Sequence, residues 1–207
     1  MFRMGISDVI FGFAHDLMLR ANYGGIFLLM AMESATLPIP SEIVLPLAGY
    51  LVYTGEFEFW TAVLVATLGS MVGTMVDYGI GYRFGRSAIL KYGRFVRLSE
   101  KHLVSSETWF ARHGDSAALL ARFVPLLRTV IAFPAGIAKM RVGKFLAFSS
   151  VGILIWDIAL IYFGYAAGQN ANLIVSSLES AFVFVEVSVV IAIVLTLIFV
   201  SKRHKKS

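Results

Sequence analysis

The sequence predicts an all-α integral membrane protein, as its composition, its long uncharged segments and the placement of its charges all indicate. Of the 207 residues, 58% are hydrophobic and only 15% are charged, whereas a soluble domain carries about a quarter charged residues. Cysteine is absent, which excludes disulfides, thiolate catalysis and cysteine-based metal sites. The basic clusters at 83–112 and 202–206 are typical of the cytoplasmic flanks of membrane spans. Nucleic-acid binding is the weaker interpretation of those clusters, and no nucleic-acid partner is expected.

Residues 1–22 predict an amphipathic helix that lies in the membrane interface. Its apolar residues recur at helical spacing and its polar residues fall between them. A secretory signal peptide is disfavoured, because Asp8 interrupts the apolar run and no small-residue cleavage site follows. Arg20 and Asp16 cancel in charge within this segment. The charge rule therefore does not tell on which side of the membrane the N-terminus lies.

Two hydrophobic segments, 26–52 and 116–138, are each interrupted by prolines and charges. A continuous helix cannot run through them, and non-helical backbone at membrane depth survives only where protein or a water-filled cavity satisfies it. We therefore expect both segments to be re-entrant hairpins. The expected breaks lie at Pro38, Pro40 and Pro46 in the first segment and at Pro125 and Pro134 in the second.

Three further segments, 60–82, 145–167 and 181–200, are predicted to be plain transmembrane helices, since a spanning helix needs about 20 residues. The loop 83–115 and the tail 201–207 are basic and are placed in the cytoplasm. The connections 53–59 and 169–180 contain no Lys or Arg and are placed outside. This topology requires the hairpin 116–138 to enter and leave on the cytoplasmic side and the hairpin 26–52 to enter from outside.

The core, residues 23–168, is therefore predicted to be an inverted repeat in which a hairpin plus a span is used twice. Leu45-Pro46-Leu47-Ala48-Gly49 in the first unit is echoed by Phe133-Pro134-Ala135-Gly136 in the second. Many secondary transporters build their substrate site where two such broken segments meet.

Six charged residues are predicted to lie at bilayer depth. A charge there costs at least about 2.5–3.5 kcal/mol, so such residues usually face the protein interior and are functional. Phosphate binding is the role predicted for the two arginines, whose planar fork also suits a carboxylate of the other hairpin, and both roles can hold together. The acids outnumber the arginines, so at least one carboxyl group is expected to carry a proton, as proton coupling requires. The arginines are Arg122 and Arg128, and the candidates for proton coupling or charge pairing are Glu33, Glu42, Asp77 and Asp157.

Asp77 lies on a ridge of glycines spaced four residues apart, which favours close approach of another helix. It is therefore expected to face protein, and a pair with Arg83 is the simpler interpretation. Asp157, next to Trp156 in the middle of its span, is harder to explain as a surface residue.

The sequence resembles the DedA family, also called the SNARE-associated or VTT-domain family, from about residue 24 to residue 168. The resemblance implies two opposed re-entrant hairpins and lipid transport, with functional residues at Glu33, Glu42, Arg122 and Arg128. Many members have an acidic residue where this chain has Thr74, and Asp77, one turn further on, is the candidate substitute. The residues that carry the resemblance are Phe110-Ala-Arg-His-Gly114, Arg122-Phe-Val-Pro-Leu-Leu-Arg128-Thr, Glu33 followed by Pro-Ile-Pro-Ser-Glu42, the glycine ladder from Gly73 to Gly85, and Trp156 with Gly164-Tyr-Ala-Ala-Gly168.

The function predicted from these features is proton-coupled translocation of a lipid phosphate, undecaprenyl phosphate in bacterial members, across the cytoplasmic membrane for carrier-lipid recycling. A general phospholipid scramblase and a proton-linked small-ion antiporter are the alternatives. An enzyme is not expected, because all four histidines fall outside the hydrophobic spans and no HExxH, GxSxG or P-loop pattern occurs. No metal or cofactor is expected. The expected partners are membrane lipids and protons, with a homo-oligomer left open.

Overall fold

A computed structural model describes residues 6–35, 39–85, 87, 108, 112–114, 116–124, 127–128 and 131–169. The predicted span 181–200, the basic tail 201–207, most of the loop 83–115, and Pro38 and Pro125 lie outside the described residues.

The regular elements in these residues are helical, and they contain no strand. They run as α1 (Ile6–Ala21), α2 (Tyr23–Ser34), α3 (Ser41–Tyr53), α4 (Phe59–Ile80), a π-helical turn (Gly81–Gly85), a 3₁₀ turn (Ala121–Phe123), α5 (Ala132–Ile137), α6 (Val142–Ala166) and a final 3₁₀ turn (Ala167–Gln169). Residues 116–120 are also helical and lead into the first 3₁₀ turn.

Two helices in the described part of the chain are long and apolar enough to cross a membrane. They cover Phe59–Gly85, with 27 residues, and Val142–Ala166, with 25. At 1.5 Å per residue they measure about 40 Å and about 37 Å, which exceeds a hydrocarbon core of about 30 Å. They include the predicted span 60–82 and all but the last residue of the predicted span 145–167. Large apolar side chains on their outer faces are half exposed, among them Leu64 (59%) and Val151 (50%), as expected for helices in contact with lipid.

The first broken segment consists of α2 and α3. The N–H of Ala35 closes α2 by donating to the carbonyl of Ala31 at 3.0 Å. Pro40 has extended backbone and immediately precedes α3. The predicted break at Pro46 is wrong, because α3 continues through this residue. Transmembrane helices tolerate such a proline when neighbouring groups compensate for the missing N–H, and Pro46 is fully enclosed by its contact with α6.

The second broken segment changes direction at Val124, whose backbone is extended (φ −111°, ψ 115°). Pro134 is the third residue of α5. No helical N–H is needed in the first turn, so a proline is well placed there.

One helix crossing joins α3 to α6 at glycines on both sides. A Cβ added to Gly49 would lie 2.1 Å from the carbonyl oxygen of Ile161. A Cβ added to Gly164 would lie 2.0 Å from the carbonyl oxygen of Pro46. The two backbones therefore touch, and neither glycine can carry a side chain.

A second crossing joins α5 to the end of α4 in the same way. A Cβ added to Gly136 would lie 2.2 Å from the carbonyl oxygen of Tyr78, and one added to Gly81 would lie 2.3 Å from that of Phe133. Both crossings have the same spacing. On each helix the glycine stands three residues after the residue whose carbonyl oxygen meets the glycine of the other helix. The short sequence echo therefore marks two structurally matching contacts. In each, the helix after a break packs on the span that follows the other break.

The N-terminal helix α1 covers the predicted amphipathic segment. Ala14 and Met18 are fully buried against the main apolar cluster, while Phe13 is 55% exposed. The helix is thus docked on the bundle by one face. Its placement in the membrane interface stays a prediction.

Candidate functional site

A cavity of about 20 Å³ lies between α2, α4, α6 and the segment around residues 122–128. This volume holds about one water molecule, so a lipid headgroup would fit only after the surrounding segments moved apart. Six of its lining residues are polar or charged and three are Met, Ile and Trp. The lining consists of Glu33, Ser34, Ser70, Arg122, Arg128, Asp157, Met30, Ile153 and Trp156.

Arg128 joins the two broken segments through an ion pair. Its Nη2 donates to Oε1 of Glu33 at 2.7 Å and to Oε1 of Glu42 at 3.2 Å, and it also contacts the hydroxyl of Ser41. Glu33 lies near the end of α2 and Glu42 near the start of α3, so one guanidinium holds both sides of the first break. The guanidinium carbon also lies 5.1 Å from the centre of the Trp156 ring, in cation–π contact.

Arg122 has a different set of partners. Its Nη1 donates to the backbone carbonyl of Arg128 at 2.8 Å. Its Nη2 donates to the hydroxyls of Thr74 and Ser149, both at 3.2 Å. Arg122 is only 4% exposed, yet within the described residues no carboxylate lies within ion-pair distance of it. The two predicted arginines therefore meet in one site, where one is neutralised by acids and the other is held by neutral groups.

A glycine makes room for the stem of Arg122. A Cβ added to Gly152 would lie 2.7 Å from the Cβ of Arg122. Since α6 approaches so closely here, the arginine is held between α4 and α6, on which Thr74 and Ser149 lie.

The predicted acids take different positions. Asp157 is 1% exposed and accepts a hydrogen bond from the Thr67 hydroxyl at 2.9 Å. No described Lys, Arg or His lies within ion-pair distance of Asp157. The other carboxylate oxygen of Glu33, Oε2, accepts from the hydroxyl of Ser34 at 3.0 Å. Asp77 is buried and engaged in an interaction, but it does not line the cavity.

Among the described residues, three buried N–H groups on the cavity residues have no acceptor. They are Nε of Arg122, Nε of Arg128 and Nε1 of Trp156. A buried donor left without an acceptor costs about 1–3 kcal/mol, so these three call for an acceptor, which an ordered water or a ligand could supply.

Three site residues were given no site role by the sequence analysis, namely Ser41, Ser149 and Trp156, whereas Thr74 had been noted as a departure from the family pattern. The available signal was a polar residue in an otherwise apolar span. Ser149 and Asp157 are eight residues apart on α6, with Ile153 between them, so all three fall near one face. For metal binding, the described residues hold no group of three or more His, Asp or Glu side chains suitably placed.

The arrangement is that of a membrane protein with a charged cavity where two broken segments meet two spans. Residues 39–166 match the VTT domain. The chain therefore belongs to the VTT-domain family, also called the DedA family, as the sequence motifs predicted.

Curated relatives cover most of the chain. An "Alkaline phosphatase-like protein" of Lactococcus lactis is 34% identical over 91% of this chain and 91% of its own length. "Undecaprenyl phosphate transporter A" of Staphylococcus aureus is 30% identical over 90% of this chain and 94% of its own. A Bacillus subtilis protein of the same name is 35% identical over 72% of this chain and 73% of its own. No solved structure matches the chain.

Proposed function

We propose that this chain transports a lipid phosphate, with undecaprenyl phosphate as the first candidate, across the cytoplasmic membrane for recycling of the carrier lipid. The observation that carries the proposal is the state of Arg122. A buried cation without an anionic partner is costly, and among the described residues Arg122 has no carboxylate at ion-pair distance and leaves its Nε–H without an acceptor. A phosphate group would supply both the charge and the oxygen atoms, and a guanidinium matches phosphate geometry well.

The names of two relatives support this choice of substrate. The S. aureus transporter aligns with this chain over nearly the whole length of both proteins. This similarity supports a headgroup site shared with that transporter. The names of the relatives say nothing about proton coupling.

The two broken segments are proposed to be re-entrant hairpins that enter from opposite faces of the membrane. The matching glycine crossings support an inverted repeat, because the same contact is made once by each hairpin. The ion pair of Arg128 with Glu33 and Glu42 supports a meeting of the two hairpins at one site. Transporters with inverted repeats bind their substrate at such a meeting point.

Arg128 is proposed to serve as an exchangeable link between the hairpins. Its Nη2 is held by Glu33 and Glu42, whereas its buried Nε–H has no acceptor among the described residues. A phosphate that binds there would lie close to carboxylates in a medium of low dielectric, where like charges repel strongly. Uptake of a proton by Glu33, Glu42 or Asp157 would relieve this repulsion, and its release would favour departure of the phosphate. This provides a route for proton coupling.

The prenyl chain needs no polar path. The exposed faces of α4 and α6 are lined by large apolar side chains, so the chain can stay in the bilayer while only the headgroup crosses. We place the protein in the cytoplasmic membrane as part of this proposal, and the charge rule puts the basic tail 201–207 on the cytoplasmic side.

The decisive experiment is transport by the purified protein in liposomes, with a fluorescent polyprenyl phosphate, with and without a pH gradient. We expect Arg122→Gln to abolish transport. Arg20→Gln is the matched control, because Arg20 lies on α1 in an ion pair with Asp16 whose side chains are 79% and 61% exposed. Transport by Arg122→Gln at the wild-type rate would refute the phosphate-binding role.

Further arms of the same assay separate the other functions. Equal rates for polyprenyl phosphate and phosphatidylethanolamine would indicate a scramblase, and rates indifferent to the pH gradient would exclude proton coupling. Release of inorganic phosphate from the lipid would indicate a phosphatase, the activity suggested by the name of the Lactococcus relative.

A further inference from the structure

We propose that Trp156 is a third headgroup-binding residue, whose indole N–H donates to a phosphate oxygen and helps select phosphomonoesters over phosphodiesters. The inference rests on the proposed function and deepens it, because it adds a residue and a basis for selectivity. It starts from a tryptophan that lines the cavity and whose buried indole N–H has no acceptor among the described residues.

The first step concerns the environment of the indole N–H. Trp156 is partly buried, but its Nε1 is shielded from solvent and has no acceptor. A tryptophan anchored at the membrane interface keeps its N–H near water and headgroups. A tryptophan used only for packing would place its apolar edge inward. The indole N–H of Trp156 instead belongs to a residue that lines the cavity.

The second step concerns the orientation of the ring. The guanidinium of Arg128 lies over it at 5.1 Å from the ring centre, and Arg128 is itself fixed by Glu33 at 2.7 Å and Glu42 at 3.2 Å. The face of the indole is therefore occupied, and its N–H edge is held in place. Substituting Phe would keep the stacked face and remove only the donor.

The third step concerns the kind of ligand. All buried side-chain polar atoms without a partner in the described residues are donors: Nε of both arginines and Nε1 of Trp156. A ligand that completes this set supplies acceptors only. A phosphomonoester offers three terminal oxygens to these three N–H groups, whereas a phosphodiester has one of them esterified. These three donors thus match the terminal oxygens of a monoester, and a headgroup with an ammonium group would bring donors where acceptors are missing.

The experiment compares two probes that differ at a single oxygen: farnesyl phosphate and its monomethyl ester. Binding to the purified full-length protein is measured for wild type, Trp156→Phe, Arg122→Gln and Trp60→Phe. Trp60 is the control, because it is 61% exposed at the start of α4. A hydrogen bond to a charged group corresponds to about a tenfold or larger change in affinity. We expect Trp156→Phe to bind farnesyl phosphate about tenfold or more weakly, with the preference over the methyl ester reduced, and Trp60→Phe to match wild type.

A second measurement keeps Trp156 in place, so it still tests the proposal if Trp156→Phe does not fold. In the ¹⁵N-labelled Trp60→Phe/Trp109→Phe protein, Trp156 gives the single indole N–H resonance. Farnesyl phosphate should move this resonance downfield, as a new hydrogen bond to an anion requires.

The outcomes separate the two proposals. Normal binding by Trp156→Phe, or an indole resonance that does not move while farnesyl phosphate binds, would overturn the role of Trp156 and leave that of Arg122 intact. Failure of the wild-type protein to bind farnesyl phosphate at all would overturn the proposed function itself.

Discussion

Removing the Arg128 charge is expected to destabilise the fold far more than removing a surface arginine. Arg128→Gln leaves Glu33 and Glu42 facing each other without their cation. The side chains of this cluster are only 9%, 5% and 15% exposed, so solvent cannot replace the lost partner. Breaking a buried ion pair on one side costs about 3–5 kcal/mol, which corresponds to a fall of about 10 °C in the midpoint of thermal unfolding for a protein of this size.

The same reasoning predicts partial rescue. Glu33→Gln in the Arg128→Gln background removes one of the uncompensated charges, so the double variant should be more stable than the sum of the two single changes implies. The expected coupling is at least about 1 kcal/mol, within the range for residues in direct contact. Thermal unfolding of the four proteins in detergent, each at the same concentration, measures it. Arg20→Gln is the control, since an exposed ion pair contributes at most about 1 kcal/mol. Additive effects of the two changes would refute the assignment of Arg128 as the link between the broken segments.

Two further predictions concern packing and capping. Gly164→Ala should destabilise the protein strongly or prevent folding, because its Cβ would lie 2.0 Å from a backbone oxygen of α3, whereas Gly143→Ala on the same helix meets nothing within 4 Å and should be tolerated. Comparison of folded yield and unfolding temperature tests this, and equal behaviour would contradict the crossing. Hydrogen bonds from Thr61 and from the Trp60 N–H hold the pKa of Glu58 below its usual 4.5, so the carboxylate stabilises the start of α4 above that pH and loses the effect as the pH falls through the lowered pKa. The unfolding temperature of Glu58→Gln should therefore lie below that of wild type at pH 7 and converge with it in strong acid, and a difference independent of pH would count against this cap.

The elements that the sequence predicted well are those governed by local rules. Long apolar runs identified the two spans to within a few residues, and the charges inside apolar segments predicted five residues that the structure brings to the candidate site, Glu33, Glu42, Arg122, Arg128 and Asp157. The break at Pro46 was predicted wrongly because a proline weakens a helix by local chemistry. Its tolerance here depends on packing against Gly164 of α6, which lies far along the chain.

The division of labour between the arginines could not be predicted. Whether a guanidinium meets a carboxylate or a hydroxyl depends on contacts such as Arg128 with Glu33, across 95 residues. Trp156 was missed for a related reason, because a tryptophan in an apolar span has the same pattern whether its N–H faces lipid or a cavity. Thr74 shows the opposite case: the sequence marked it as a departure from the family pattern, and its hydroxyl accepts a hydrogen bond from Arg122.

The two glycine crossings also decide which parts of the molecule can move together. Each joins the helix after one break to the span that follows the other break, with backbones in direct contact. Any motion that exposes the cavity first to one side and then to the other must carry α3 with α6, and α5 with the end of α4. Each moving body therefore contains helices from both halves of the described core. A cut of the chain between α4 and residue 116 would put the two helices of each crossing on different fragments, so neither fragment would contain a complete crossing.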